Sequence, residues 1–83
     1  MTKYLVDIYI PAAERHFDAF LPSNKPIGEV VQLLITAAES LVAGSYMGTS
    51  DSMLLDAQTG APYAPNITVE DAGIRNASRL ILI

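Results

Sequence analysis

The stretch that decides the fold is Thr68-Val-Glu-Asp-Ala-Gly-Ile-Arg-Asn-Ala-Ser-Arg-Leu-Ile-Leu-Ile83. It opens with a short turn, because the Thr68 hydroxyl and the Asp71 carboxylate can each accept a hydrogen bond from a free backbone amide. Gly73 then permits a left-handed exit from that turn. From Arg79 onward the chain is almost wholly apolar, which is typical of a strand in the interior of a sheet. We therefore expect the chain to end in a strand flanked on both sides.

The N-terminal part of the chain predicts a β-hairpin. Residues 4–10 are rich in β-branched and aromatic side chains and stop at Pro11, and residues 15–21 alternate in a similar way. A four-residue loop at 11–14 joins the two strands and sets their register. The cross-strand pairs that this register predicts are Ile8 with Phe17, Val6 with Ala19, and Asp7 with Asp18.

A helix follows the hairpin. Pro26 suits the first helical turn, Ser23 or Asn24 is placed to cap it, and Gly44 is placed to end the helix in a left-handed conformation. The spacing of the apolar residues is that of an amphipathic helix that buries one face. Its predicted inward positions are Ile27, Val30, Val31, Leu34, Ala38 and Leu41.

The remaining segments between the helix and the final turn are short. Residues 45–51 predict a polar loop, 52–56 a strand, 57–60 a turn and 61–64 a brief return strand. Pro62 and Pro65 confine that return strand to an edge, because proline has no amide to donate to a sheet.

The order of these elements predicts an α+β fold. The compact solution is a mixed sheet with one helix packed across one face and the last strand inserted beside the first. This is the β-grasp arrangement. The chain of 83 residues has room for one core, so we expect a single domain spanning residues 1–83.

Composition excludes several classes of protein. A hydrophobic content of 51% with 17% charged residues predicts a folded chain, and a net charge of −4 disfavours nucleic acid and anionic membranes as partners. The absence of cysteine excludes disulfides, thiol catalysis and cysteine-ligated metals. Since no segment resembles a membrane span or a secretory signal, we expect a cytoplasmic protein without direct membrane insertion.

The sequence contains no pattern typical of a catalytic site. His16 is the only histidine, no nucleophile motif surrounds the serines, and no phosphate-binding loop is present. We interpret His16 as an ordinary residue beside Tyr9 on the sheet surface. Opposed carboxylates at Asp7 and Asp18 repel each other unless a cation lies nearby, but two carboxylates are too few for a well-built calcium or magnesium site. We expect no enzyme activity, metal or other cofactor, and whether the pair takes up a cation stays open.

The sheet face turned away from the helix is the candidate binding surface. Strict alternation along the strands leaves a set of apolar side chains on that face. The predicted partner-binding residues are Leu5, Tyr9, Phe20, Leu55, Ile81 and Ile83. A contiguous apolar patch on a small protein normally marks an interaction site, so we expect a protein partner or a second copy of the chain. The alternative is that Asp7, Asp18 and Arg79 scatter these side chains.

The C-terminal turn and strand resemble the corresponding part of ubiquitin-like proteins. The segments Asp71-Ala-Gly-Ile74 and Arg79-Leu80, together with Phe17-Asp18, Pro26 and Val30-Val31, resemble the YukD/EsaB group of small bacterial ubiquitin-like proteins. The resemblance runs from Tyr4 to Ile83. It implies an accessory component of type VII secretion in Gram-positive bacteria that docks onto a secretion-system component, and ubiquitin is similar in being recognised through this sheet face.

Two other functions remain open at this stage. Ubiquitin and the sulfur carriers act through a flexible diglycine tail, whereas this sequence ends at Ile83 inside the predicted strand; conjugation is therefore expected only if such a tail follows. The chain could instead be the cytosolic ubiquitin-like domain of a larger secretion membrane protein. Met1 and the complete predicted fold favour a free-standing protein.

Overall fold

The computed structural model describes residues 2–83 and contains four strands and one helix in that range. The elements are β1 (Lys3–Ile10), β2 (Arg15–Pro22), α1 (Ile27–Leu41), β3 (Leu54–Asp56) and β4 (Arg79–Leu82). The strands form one sheet in the order β2-β1-β4-β3, with β1 and β4 parallel and both outer pairs antiparallel. The predicted mixed sheet, with the last strand beside the first, is confirmed.

The predicted hairpin register is also confirmed. Ile8 lies opposite Phe17, Val6 opposite Ala19 and Asp7 opposite Asp18. Within the loop, the amides of Ala13 and Glu14 donate to the carbonyls of Ile10 and Pro11. Glu14 adopts φ +51°, a left-handed conformation that lets the chain reverse within four residues. Loop length and side-chain alternation agree, and together they specify the register.

The core lies between α1 and the inner face of the sheet. Alternate residues of the two central strands point into it, and the turn before β4 closes one end. The side chains exposed by 1% or less are Val6, Ile8, Ile10, Ile27, Val30, Ala38, Leu54, Val69, Ile74, Leu80 and Leu82. Burying a side chain of valine or leucine size contributes about 1.5–3 kcal/mol, so this core is the main source of stability.

The start of the helix differs from the prediction. Within residues 2–83 no side chain caps α1, and the N-cap residue is Pro26. The free amides of Ile27 and Gly28 donate instead to the carbonyls of Ile67 (2.8 Å) and Pro65 (2.9 Å). The predicted Ser23 or Asn24 cap is therefore wrong, because a segment some forty residues further along the chain supplies the acceptors.

The inward face of the helix is rotated slightly from the prediction. Leu41, predicted to point inward, is 46% exposed, whereas Ile35 and Val42 are buried. The seam of α1 that contacts the sheet therefore runs through Ile35 toward Val42. Gly44 has the predicted left-handed conformation, with φ +83°, but it lies in the turn after the helix, which ends at Leu41 with Val42 as its C-cap.

The loop after the helix is less polar in its contacts than its composition suggests. Tyr46 is buried, and its hydroxyl donates to Ser52 Oγ (3.2 Å) and approaches the Ile83 carbonyl (3.5 Å). The Gly48 amide donates to Glu39 Oε2 (2.9 Å), which ties the loop to the helix. The segment predicted as a polar loop is thus part of the packing under the end of the sheet.

The short segments follow the prediction in outline. The predicted strand at 52–56 is shortened to β3, and the predicted return strand at 61–64 is reduced to a single bridge between Leu55 and Pro62. Pro62 is compatible with this bridge, because Ala61 and Tyr63 on either side of it make the backbone hydrogen bonds to β3 and its own nitrogen points away from the sheet. The Asp71 amide donates to Thr68 Oγ1 (3.1 Å), and Gly73 has φ +85°, so the capping role of Thr68 and the left-handed exit are confirmed, whereas that of the Asp71 carboxylate stays a prediction.

Candidate functional site

The outer face of the sheet presents side chains in three rows that cross the strands. Alternation along β1 puts Leu5, Asp7 and Tyr9 on this face, because Val6 and Ile8 point into the core. The pairing of β1 with its two neighbours then assigns every other position. All six residues predicted from the sequence lie on this face, but they are not evenly spread over it.

The apolar row crosses three strands, β1, β4 and β3, and ends at His16 of β2. Tyr9 is aligned with Ile81 of β4, which lies opposite Leu55 of β3, and on the other side Tyr9 lies opposite His16. The rings of Tyr9 and His16 are 4.6 Å apart between centroids and tilted by 37°. Tyr9, Ile81 and Leu55 are half-buried. Their exposed parts form a continuous strip, and His16 stands at its end as the sequence indicated.

A charged row lies next to the apolar row. Asp18 of β2 lies opposite Asp7 of β1, which is aligned with Arg79 of β4. The Asp7 carboxylate accepts a hydrogen bond from His16 Nδ1, with Oδ2 at 2.9 Å and Oδ1 at 3.2 Å. Opposed carboxylates therefore do coexist here, with histidine and arginine side chains beside Asp7. Both neighbours reduce the repulsion that the Asp7–Asp18 pair would otherwise generate.

A second apolar patch lies on the far side of the charged row. Leu5 lies directly opposite Phe20, and their side chains are 41% and 66% exposed. The row of Asp18, Asp7 and Arg79 separates this pair from the strip through Tyr9. The candidate surface is thus two apolar areas divided by charges, and not one uninterrupted patch.

Met53 extends the apolar strip beyond the residues predicted from the sequence. Its amide donates to the Ile83 carbonyl (3.2 Å), and the Ile83 amide donates to the Met53 carbonyl (3.1 Å). Both side chains are partly exposed, at 39% and 46%. Sequence analysis missed Met53, although alternation from Leu55 within the predicted strand at 52–56 would have placed it on this face.

A groove lies on the opposite side of the sheet, between the first half of α1 and the segment after β3. Its volume is about 640 Å³, and its walls include Gly28, Gln32, Leu54 and Tyr63. Burial, with a smaller contribution from Asp56, raises the pKa of the Tyr63 hydroxyl above its ordinary value. Sequence analysis did not anticipate this groove, since it depends on where residues 62–65 pass the helix.

Two further observations concern the described residues only. Between residues 2 and 83, no helix is long and apolar enough to cross a membrane. In the same range, no three histidine, cysteine or carboxylate side chains are close enough together to hold a metal ion.

Solved structures of known proteins match this arrangement over the whole chain. The EccD5 ubiquitin-like domain from Mycobacterium xenopi matches with a TM-score of 0.76 at 20% identity, covering 100% of this chain and 94% of that one. The ubiquitin-like domain of the Mycobacterium tuberculosis type VII secretion protein EccD1 matches with a TM-score of 0.79 at 18% identity, covering 100% and 99%. The chain has the ubiquitin-like β-grasp fold.

A further match places the same β-grasp fold within a larger assembly. A chain of the ESX-5 inner membrane complex matches with a TM-score of 0.75 at 13% identity, covering 100% of this chain and 21% of that one. No family model and no curated protein matches the sequence. At these identities the comparisons show the fold alone, and a toluene 4-monooxygenase complex also contains a chain of this fold, at 6% identity. Among the matches, this ubiquitin-like fold occurs in type VII secretion proteins.

Proposed function

We propose that this chain is a non-enzymatic, cytoplasmic ubiquitin-like adaptor or regulator of bacterial type VII protein secretion that acts by docking, without conjugation. The observation that carries the proposal is the apolar strip of Tyr9, Ile81 and Leu55 on the sheet face that α1 leaves uncovered. The partner would be a component of the secretion apparatus. The resemblance to the YukD/EsaB group and the structural matches to two EccD domains support this choice of pathway.

The two apolar areas and the charges between them suggest how docking would be selective. The strip through Tyr9 and the Leu5–Phe20 patch would supply the contact area, since apolar and aromatic side chains contribute most to interface energy. The row of Asp18, Asp7 and Arg79 would require complementary charges on the partner in one orientation. Such a divided surface favours specificity, because a wrongly placed charge would be buried without a partner.

A second role is favoured by one specific observation. The matching part of the ESX-5 inner membrane complex covers only 21% of its chain, so in that complex the fold belongs to a longer polypeptide. The chain described here would then act as the cytosolic ubiquitin-like domain of a secretion membrane protein. Docking through the outer sheet face is common to both roles.

The test is affinity capture from the source cell with single-residue variants as baits. Phe20→Asp places a charge in the Leu5–Phe20 patch, and Ile81→Asp places one in the strip. Met47→Asp is the matched control, because Met47 is 78% exposed and lies in the loop after α1, outside the sheet. Circular dichroism of each variant establishes that it is folded.

We expect the unmodified chain and the Met47→Asp variant to capture type VII secretion proteins, and the two outer-face variants to lose them. Retention of those proteins by both outer-face variants would overturn docking through this face. Capture of activating enzymes in their place would redirect the function to conjugation.

A further inference from the structure

The strand β2 lies at the edge of the sheet and is unusually open for its length. It spans eight residues, and within the described chain only β1 pairs with it. By contrast, the other edge strand, β3, is partly covered, since Asp56 and Tyr63 exchange backbone hydrogen bonds across it with Ala61 and Leu54. A long open edge is a template for a further strand.

Hydrogen-bond parity identifies which backbone groups of β2 are free. The Ser23 amide donates to the Thr2 carbonyl (2.9 Å), and in an antiparallel ladder bonded pairs alternate with non-bonded ones. Phe17, Ala19 and Leu21 therefore bond to β1. The amides and carbonyls of the intervening residues point away from the sheet, and these residues are His16, Asp18 and Phe20.

The helix leaves apolar side chains on the same side of the molecule as this edge. One flank of α1, which includes Gly28 and Gln32, lines the groove beside β3. By helical spacing Leu33 and Leu41 belong to the other flank, which we infer faces the β2 side because the first flank faces β3; they are 63% and 46% exposed. Below them, Phe17 and Ala19 on the inner face of β2 are only partly buried. The open edge is thus bordered by apolar side chains.

We propose that the occupant of this edge is a second copy of the chain, whose β2 pairs antiparallel with β2 about a two-fold axis at Phe17. In this register His16 of each copy lies opposite Asp18 of the other, so an imidazole, which can donate a hydrogen bond, meets a carboxylate at both ends of the pairing. His16 and Asp18 of each copy each contribute one free amide and one free carbonyl, so the two copies form four backbone hydrogen bonds with each other. Phe17 meets its own counterpart on the inner face, below Leu33 and Leu41 of both copies.

Neighbouring registers lack this complementarity. A two-fold axis at Asp18 would align Asp7 and Asp18 of both copies, which puts four carboxylates side by side in one row. An axis at Ala19 would set His16 opposite Pro22, which has no amide to donate. The Phe17 register is therefore the self-complementary one, as a two-fold interface requires.

The first test measures association and edge protection together. Sedimentation velocity of the purified chain, from about 1 µM to about 1 mM, covers the range of weak to moderate complexes. We expect a monomer–dimer equilibrium, and slower exchange of the His16 and Asp18 amides as the dimer forms. The Phe17 and Ala19 amides serve as the control, since they already bond to β1. A chain that stays monomeric at about 1 mM, or a dimer in which the His16 and Asp18 amides stay unprotected, would overturn the proposal.

The second test is a charge swap across the two-fold axis. His16→Asp places two carboxylates opposite one another at both ends of the pairing and should weaken the dimer by about tenfold or more. The double variant His16→Asp/Asp18→Lys places opposite charges there and should recover the dimer. Tighter association of Asp18→Asn would indicate the axis at Asp18 and refute the Phe17 register. Ile81→Asp, which tests docking onto secretion proteins, lies away from this edge and should leave the dimer unchanged, so the two proposals fail separately.

Discussion

Gly48 should not tolerate alanine, because of one buried methyl group. A Cβ added at Gly48 would lie 2.3 Å from Ile35 Cγ2 and 3.1 Å from both Cγ1 and Cδ1. The Cγ2 methyl cannot turn aside easily, since isoleucine in a helix strongly prefers one χ1 rotamer. Ile35 is buried, so the overlap must be relieved by moving the helix or the loop. Overpacking of this kind costs about 1–3 kcal/mol, a large part of the roughly 4–12 kcal/mol expected for a domain of this size.

A double-mutant cycle tests this explanation. Ile35→Leu removes the Cγ2 methyl and conserves volume, and alone it should cost less than about 1.5 kcal/mol. Urea unfolding of the four proteins gives the free energy of each step. We expect Gly48→Ala to cost markedly less in the Ile35→Leu background than in the unmodified chain, with a coupling of about 1 kcal/mol or more.

A second glycine supplies the control for this cycle. Gly44 has φ +83° and open space around an added Cβ, so Gly44→Ala should cost about 1 kcal/mol through backbone conformation alone. That cost should be the same with isoleucine or leucine at position 35. If Gly48→Ala costs equally much in both backgrounds, or less than about 0.5 kcal/mol in the unmodified chain, the steric argument is wrong.

Three further predictions concern single side chains. Thr68→Ala should lower the free energy of unfolding by about 0.5–2 kcal/mol in urea, because the hydroxyl accepts a turn amide, whereas Thr68→Ser should retain most of it; equal losses would contradict the capping role. Ile74→Ala should lower the free energy of unfolding by about 2–5 kcal/mol, because Ile74 is 1% exposed. Ile83→Ala should lower it far less, since Ile83 is 46% exposed. Similar shifts of the urea midpoint for the two variants would contradict the assigned core. Burial and Asp56 raise the pKa of Tyr63, so stability should be full below pH about 10 and fall above it, where the tyrosine of the unfolded chain ionises first. Urea unfolding at alkaline pH should show a smaller fall for Tyr63→Phe, and an unchanged pH dependence would exclude Tyr63 as the cause.

The parts of the fold that depend on local pattern were predictable. Side-chain alternation and a four-residue loop specify the hairpin register, including the Asp7–Asp18 pair. Thr68 and Gly73 specify the last turn, because few residues can cap an amide or adopt a left-handed conformation. The apolar character of the final strand indicates a central position, and β4 does lie between β1 and β3.

Other features depend on contacts between distant segments. The carbonyls of Pro65 and Ile67 accept hydrogen bonds from the first amides of the helix. No residue next to the helix in the sequence indicates that these distant carbonyls cap it. Tyr46 is buried because the loop folds back under the end of β4, although its neighbours in sequence are polar. The choice of Ile35 over Leu41 as an inward residue depends on how the helix is rotated against the sheet.

The same division applies to the candidate surface. The sequence by itself determined which side chains lie on the outer face, because alternation along a strand is a local property of the backbone. Only the tertiary structure decided how they are arranged there. The parallel register of β1 with β4 aligns Asp7 with Arg79, and with Asp18 this forms a charged row that divides the apolar residues into two areas. Register between strands far apart in the chain is set by the packing of the whole core, and no short stretch of sequence encodes it.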